Sequence, residues 1–274
     1  MSFGMKKAIK KVLIGVLVIG LLVSAKIQGA ELKEEIIEIG NGIKLEMVLI
    51  PAGKFIMGSI EPKKDPFSNE VPKNKPNENE FPAHEVTLTK QFYMGKYEVT
   101  QEQWDEIMGY NPSADKGKKL PVTNVSFYEC KKFIIKLNEK TNLGFRLPTE
   151  ARWEYACRAG TTTAYSFGDS IGNRREGGAG EAPVGTYKNW AKVKANAFGL
   201  YDMHGNVREW CYDFFGKYPT GPVTDPIGPD EGREHVLRGG SDSDYDNDLR
   251  SARRMDCDPK YRDYRIGFRL VRVP

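Results

Sequence analysis

The sequence predicts a single α+β domain with little regular secondary structure, and three observations carry that expectation. Helical periodicity is confined to three short stretches, each opened by a capping residue. Strand-like runs are brief and bounded by Pro and Gly. Beyond Gly160 the pattern gives way to scattered aromatics, Trp190, Phe198, Tyr201, Trp210, Phe214, Phe215 and Tyr218, which suit a core under long loops.

The first 30 of the 274 residues read as a secretory signal. Lys6, Lys7, Lys10 and Lys11 precede an apolar run over 12–23, followed by the small residues Ser24, Ala25, Gly29 and Ala30. Val23-Ser24-Ala25 fits the small-x-small cleavage rule better than Gln28-Gly29-Ala30. An uncleaved anchor is the alternative, although the run is shorter than the roughly 20 residues of a comfortable bilayer span. No cysteine follows it to take a lipid. The expectation is an exported protein, periplasmic, cell-surface or secreted, touching the membrane only through an uncleaved leader. A lead-in over 31–44 and one domain over 45–274 complete the organisation.

The net charge of +4 falls further without the leader's lysines, which excludes a phosphate backbone as a natural partner. Cys130, Cys157, Cys211 and Cys257 are spaced too widely for a zinc site or a small disulfide scaffold, and most read as buried free thiols.

Short strands are expected at 46–50 and 54–57 around the Pro51-Ala52-Gly53 turn, with a polar loop over 59–82 and strands again at 86–88 and 92–97. Thr100 with Gln103 forms a capping box opening a helix through Met108. Ser126 with Glu129 repeats it, and Phe127, Cys130, Phe133, Ile134 and Leu137 then fall on one helical face ending near 142–144. Thr149-Glu150 caps a third helix, which Arg158-Ala159-Gly160 stops.

The C-terminal stretch, LRGGSDSDYDNDLRSARRMDCDPKYRDYRIGFRLV over 237–271, encloses an aperiodic filling in a regular frame. Together with IPAGKFIMGS, HEVTLTKQFYMGKYEVTQEQW, LPVTNVSF, FRLPTEARWEYACRAG and GLYDMHGNVREW it resembles, in order and from about residue 47 to 273, the formylglycine-generating-enzyme family, also called the sulfatase-modifying-factor domain. The resemblance implies an elaborated C-type-lectin-like fold, in which a twisted antiparallel sheet and two helices support long loops.

It also implies where catalysis would lie. The family's enzymes hold Cu(I) between two cysteines standing three and eight residues after the serine of RGGS. Here that serine is Ser241 and the two positions are Asp244 and Leu249, a hard carboxylate and an alkyl group, so no copper is expected. His84, His204 and His235 form no metal-binding pattern and read as turn or packing residues. A structural Ca2+ site of the family maps onto Asp202, Gly205, Val207 and Glu209, with two carboxylates and two backbone carbonyls as hard oxygen donors; the competing reading is that the carboxylates pair with Arg208 or cap turns. The family's second calcium site, in the segment 169–195, is not carried over. The acidic run 242–248 is no EF-hand loop either, since Asn247 stands where glycine is required and Arg253 where a bidentate glutamate is required.

The frame RGGS, RSA, DP and IGFRLV closely resembles the variable region of proteins diversified by retroelements that mutate adenines. Asparagine codons altered at their adenines yield Asp, Ser, Tyr, Arg, Cys and Leu. Asp242, Ser243, Asp244, Tyr245, Asp246, Asn247, Asp248, Leu249, Arg253, Asp256, Cys257, Tyr261, Asp263, Tyr264 and Arg265 fall in that set; Met255 and Lys260 need another template triplet. These positions are the candidate ligand-binding residues, expected to line one shallow pocket with Tyr245, Tyr261 and Tyr264 as anchors. An ordinary hydrophilic loop is the bland alternative. Arg238, Gly239, Gly240, Arg250 and Phe268 read as structural. The resemblance therefore implies a non-catalytic, surface-displayed binder of a protein or other macromolecule. A family oxidoreductase or sulfatase maturation factor is the alternative, and a periplasmic assembly component a third reading.

Overall fold

The computed structural model describes residues 21–27, 30–61, 75–171, 182–186 and 195–274, with side chains from residue 33 onward. Its centre is a five-stranded sheet in the order β1 (Leu21–Ile27), β2 (Ala30–Gly40), β3 (Ile43–Ile50), β6 (Phe92–Gly95) and β12 (Val271–Arg272). A second sheet orders β10 (Arg254–Cys257), β9 (His235–Arg238), β7 (Arg208–Phe214) and β11 (Ile266–Gly267). A third joins β4 (Gly53–Met57), β5 (His84–Leu88) and β8 (Val223–Thr224).

Side-chain alternation along a strand sorts residues to opposite faces of a sheet, and here both faces are covered. Leu45 and Met47 of β3, with Tyr93 of β6, enter one core; Val48, Ile50, Phe92 and Met94 enter the other. Neighbours on β7 and β9 split the same way, Trp210 and Leu237 to the first core, Cys211 and Val236 to the second.

Three α-helices pack on these sheets among the described residues: α1 (Gln101–Met108), α2 (Phe127–Thr141) and α3 (Glu150–Arg158). Both predicted capping boxes form, Thr100 with Gln103 and Ser126 with Glu129, each satisfying orphan backbone donors. All five apolar positions predicted for the α2 face are buried. Trp104 of α1 stacks on Phe133 of α2 with centroids 5.3 Å apart, and Phe268 closes edge-on against both. All four cysteines are free thiols, as expected; Cys130, Cys157 and Cys211 are buried.

Two expectations from the sequence give way. The lead-in over 31–44 is part of the central sheet, because β2 pairs along β3 and sends Ile37 and Ile39 fully into the core. The region beyond Gly160 holds more regular structure than its pattern shows. Both faces of β7 are buried, so Glu209, Trp210 and Cys211 lie inside together and the polar/apolar alternation that marks a half-exposed strand is missing. The central sheet is antiparallel throughout, as expected, and it is the two smaller sheets that are mixed, since β5 with β8 and β7 with β11 run parallel. The polar loop over 62–74 and Trp190 lie outside the described residues, as does most of the apolar run over 12–23. No described helix is long and apolar enough to cross a membrane.

Candidate ligand-binding surface and its buried frame

The frame of the C-terminal region is held from below by buried ion pairs. Arg254 on β10 forms a bidentate pair with Glu150, both contacts at 2.7 Å, and donates to the Gly216 carbonyl at 2.8 Å. Its guanidinium lies over the rings of Tyr218 and Phe215, 4.0 and 4.5 Å from their centroids. Arg238 pairs with Glu154, which also accepts from Arg158 at 2.8 Å. Arg250 grips Glu80 with two contacts of 2.6 Å. Arg269 grips Glu209 with two of 2.7 Å, and Trp153 Nε1 donates to the same carboxylate at 2.8 Å. Planar bidentate geometry suits arginine to this work where lysine would leave carboxylate lone pairs unmet. Burial raises the Glu80 carboxyl's pKa, but the Arg250 guanidinium outweighs it and holds the group below its ordinary value.

Two glycines let the loop leave this frame. Gly239 has φ +90° and Gly240 φ +70°; a Cβ on Gly240 would sit 2.4 Å from Leu249 and 2.9 Å from the Asp248 carbonyl. The reading of Arg238, Gly239, Gly240, Arg250 and Phe268 as structural agrees with their burial and contacts.

The candidate filling divides into displayed and anchored residues. Ser243, Tyr245, Asp256, Lys260, Tyr261 and Tyr264 are exposed, Tyr245 at 84% and the other two tyrosines at 51% each. Asp246, Asn247, Asp248, Arg253, Met255, Cys257, Asp263 and Arg265 are half-buried. Asn247 donates to the Lys75 carbonyl at 2.9 Å, and Arg253 pairs with Asp248 at 2.8 Å. Met255 and Cys257 lean on the first core. Asp244 accepts from Ser241 N at 2.8 Å and from Ser241 Oγ at 3.0 Å, and is clamped by Arg208.

Two residues are corrections to the set. Leu249 is fully buried, packed with Tyr165 and Ile171, and Asp242 is 5% exposed, so neither presents a side chain to a macromolecular ligand. The adenine-codon signature includes leucine and aspartate without regard to where they point. The three tyrosines do not line the cavities walled by Tyr97, by Tyr218 or by Tyr155, and their side chains are largely in solvent. The two variable segments are nonetheless tied together, since Arg208, which clamps Asp244, donates its backbone N–H to the Arg265 carbonyl at 2.8 Å. Arg265 in turn pairs with Asp263 at 2.9 Å and lies over the Tyr264 ring, 4.8 Å from its centroid.

The partners Glu80, Glu150 and Glu154 were not read from the sequence as part of this region. Their one signal is Glu150, Glu154 and Arg158 at helical i, i+4, i+8 spacing, a charged stripe that a surface helix would show to water and that α3 buries instead.

The positions that hold copper in the family's enzymes carry Asp244, bonded to Ser241 and Arg208, and Leu249, inside the core. Neither fits a soft thiolate-seeking ion. A thiol and an imidazole have the outline of a nucleophile and base, with Cys157 Sγ 3.6 Å from His204 Nε2. Burial, however, pushes that thiol's pKa up to about 12 and the imidazole's down to about 4, so both are neutral. His204 Nδ1 donates to the Leu249 carbonyl at 2.8 Å, His235 stacks on Phe127 at 3.6 Å, and His84 Nδ1 donates to the Pro82 carbonyl at 3.1 Å. Packing and turn roles account for these contacts of all three.

The candidate calcium ligands are split. Glu209 is neutralised by Arg269, not by Arg208. Asp202 is half-buried with φ +59° and accepts from Gly185 N at 2.5 Å. Burial, with the Glu209 charge nearby, raises the Asp202 pKa to about 6, although the Gly185 N–H, Arg269 and Glu98 all act to lower it. Glu98 is buried, its Oε2 has no hydrogen-bond partner, and burial with the Asp202 charge drives its pKa well above normal. Asp202 and Glu98 offer hard oxygen donors of the type Ca2+ takes, at the cost of ionising carboxyls whose pKa values burial raises, whereas Glu209 is already paired with Arg269. Among the described residues no cluster of three or more His, Cys, Asp or Glu is arranged as a metal site.

The model of the sulfatase-modifying factor enzyme 1-like domain matches residues 41–274. The chain belongs to that family. Its relatives diverge in role. It is 33% identical over 198 residues to the chaperone protein LppX of Paenibacillus barcinonensis, covering 53% of this chain and 70% of that one. It is 37% identical over 152 residues to the formylglycine-generating enzyme of Streptomyces coelicolor, covering 47% and 46%. The chain spans 38% of the serine/threonine-protein kinase pkn1 of Chlamydia caviae, at 31% identity over 83% of its own length. Among solved structures, Treponema denticola variable protein 1 superposes with a TM-score of 0.70 and 29% identity over 88% of this chain and 99% of that one. The family's α+β, C-type-lectin-like architecture with few helices is thus that of this chain.

Proposed function

We propose that this chain is a non-catalytic binder of a protein or other macromolecular ligand, displaying an exchangeable surface on a formylglycine-generating-enzyme-type scaffold. The observation that carries the reading is the division of the C-terminal region. Arg238, Arg250 and Arg254 are locked to buried glutamates, while Tyr245, Tyr261 and Tyr264 project into solvent. Rigid tyrosines give large contact area for little lost entropy, and short polar neighbours adapt their hydrogen bonds. The likeness to Treponema denticola variable protein 1 supports the reading, as does the leader-like first 30 residues for a surface or secreted location. A structural Ca2+ at Asp202 belongs to the same proposal.

The test is a display library randomised at Ser243, Tyr245, Asp256, Lys260, Tyr261 and Tyr264 and sorted against unrelated purified proteins. Folded members that bind different targets support the reading; a library that folds and yields no binder to any target overturns it. The relationship to the Streptomyces coelicolor enzyme favours a second reading, oxidation of a substrate cysteine. Copper reconstitution with a cysteine-containing sulfatase peptide under O2 decides it through the aldehyde.

A further inference from the structure

Arg254 also lines a cavity of about 600 Å3, within the usual volume of small-molecule sites. Its walls are largely apolar, with Met57, Ala151, Val223, Pro226 and Ile227 among them. The turn after β8 folds over it. Asp225 and Gly228 both take positive φ, +45° and +79°, and a Cβ on Gly228 would lie 2.7 Å from the Cβ of Asp213.

The polar groups in this cavity are chiefly acceptors. Asp213, a residue 3% exposed, lines it, and its carboxyl is held in place through Oδ2, which accepts from the Glu150 backbone N–H at 2.8 Å. His84 lines it as well. Its Nδ1 lies 3.1 Å from the Pro82 carbonyl, to which it donates, and this tautomer leaves Nε2 as an acceptor. The basic groups offset Asp213 only in part, since Arg254 lowers its pKa but burial and Glu150 outweigh that. Arg254 is committed to Glu150, Gly216 and Asn79, and Lys217 sits exposed at the rim. An apolar chamber ending in a carboxyl that makes no ion pair of its own and an acceptor nitrogen is complementary to a cation carried on an apolar body.

We propose that this cavity is a binding site for small amphiphilic amines, the ammonium group pairing with Asp213 and the apolar body lying against Val223 and Ile227. The site is separate from the variable surface, as none of the exposed variable residues lines it, and it stands or falls independently of the binder reading.

Occupancy follows the ionisation of Asp213. Burial, with the Glu150 charge beside it, raises that carboxyl's pKa to about 7. The other charged and titratable groups around it are Glu150 and Arg152 on α3, Arg254 on β10, His84 on β5, and Lys217, Tyr218 and Asp225 on the flanking loops. A cationic ligand therefore binds better at pH 8 than at pH 5.5, where Asp213 is protonated.

Calorimetry with benzylamine, benzyl alcohol and benzoate on the full chain tests the proposal. Benzylamine is expected to bind one to one, at least about tenfold tighter than benzyl alcohol, with benzoate excluded. Asp213→Asn keeps an acceptor for the Glu150 N–H and should remove the tenfold preference. Ile227→Trp, at a position 55% exposed, should block the mouth and weaken all binding without touching the carboxyl. Equal affinity for amine and alcohol, absence of benzylamine binding at millimolar concentration, or a preference that survives Asp213→Asn would overturn it. Should Asp213→Asn fail to fold, the three-ligand comparison and its pH dependence on the unaltered chain decide alone.

Discussion

Replacing Arg250 tests how the displayed surface is held. Arg250 and Glu80 are 3% and 0% exposed, so removing the guanidinium leaves a carboxylate in a dry site with only Ser59 Oγ and the Asn77 N–H to serve it. Breaking a buried pair from one side typically costs about 3–5 kcal/mol. For a domain of this size that corresponds to a fall in melting temperature of about 6–20 °C. Arg250→Met alone should show that loss in urea unfolding, with the slope unchanged. Adding Glu80→Leu should return at least half of it, because the penalty lies in the stranded charge rather than in lost packing. The sign of the pH dependence follows from Glu80, whose folded-state pKa lies below the ordinary 4.5. The pair's contribution is present at neutral pH and above 4.5, and is lost as pH falls through the lower folded value. A loss under about 1 kcal/mol for Arg250→Met, or a double variant as unstable as the sum of the singles, would refute the idea that the frame is held by buried ion pairs.

Other outcomes follow from the same structure. Tyr245→Ala, Tyr261→Ala and Tyr264→Ala should each change stability by no more than about 0.5 kcal/mol in chemical denaturation, since all three side chains face solvent. Asp213 has the opposite linkage to Glu80. Its folded pKa of about 7 exceeds the unfolded 3.8, so wild-type stability falls as pH rises between those values. Asp213→Asn should gain on the wild type between pH 5 and pH 8 in urea midpoints, and an unchanged gap would contradict this. Calcium at about 100 times its dissociation constant should raise the melting temperature by about 5–10 °C, and Glu98→Gln should diminish that rise. Reconstitution with copper should yield no aldehyde in a sulfatase-type peptide, detected by mass spectrometry.

Local signals in the sequence were read well where the physics is local. The capping boxes at Thr100 and Ser126 and the apolar face of α2 depend on residues three or four apart, and they form as read. β2 and β7 were missed because their burial is set by partners distant in the chain. Ile37 and Ile39 become core only once β3 lies beside them, and Glu209 is tolerable inside only because Arg269, 60 residues away, reaches it. The candidate surface divides in the same manner. Composition marks which residues vary in kind, and so finds Tyr245 together with Leu249. It carries no record of direction, which places the first in solvent and the second against Tyr165.

The most direct measurement is deep sequencing of a display library randomised at the six exposed positions and, separately, at Arg238, Arg250 and Arg254, sorted first for folding and then for binding to purified targets. The account predicts that nearly all substitutions pass the folding sort at Ser243, Tyr245, Asp256, Lys260, Tyr261 and Tyr264, that few pass at the three arginines, and that binding is gained only through the six. Equal tolerance at both sets, or a folded library from which no target selects a binder, would contradict it.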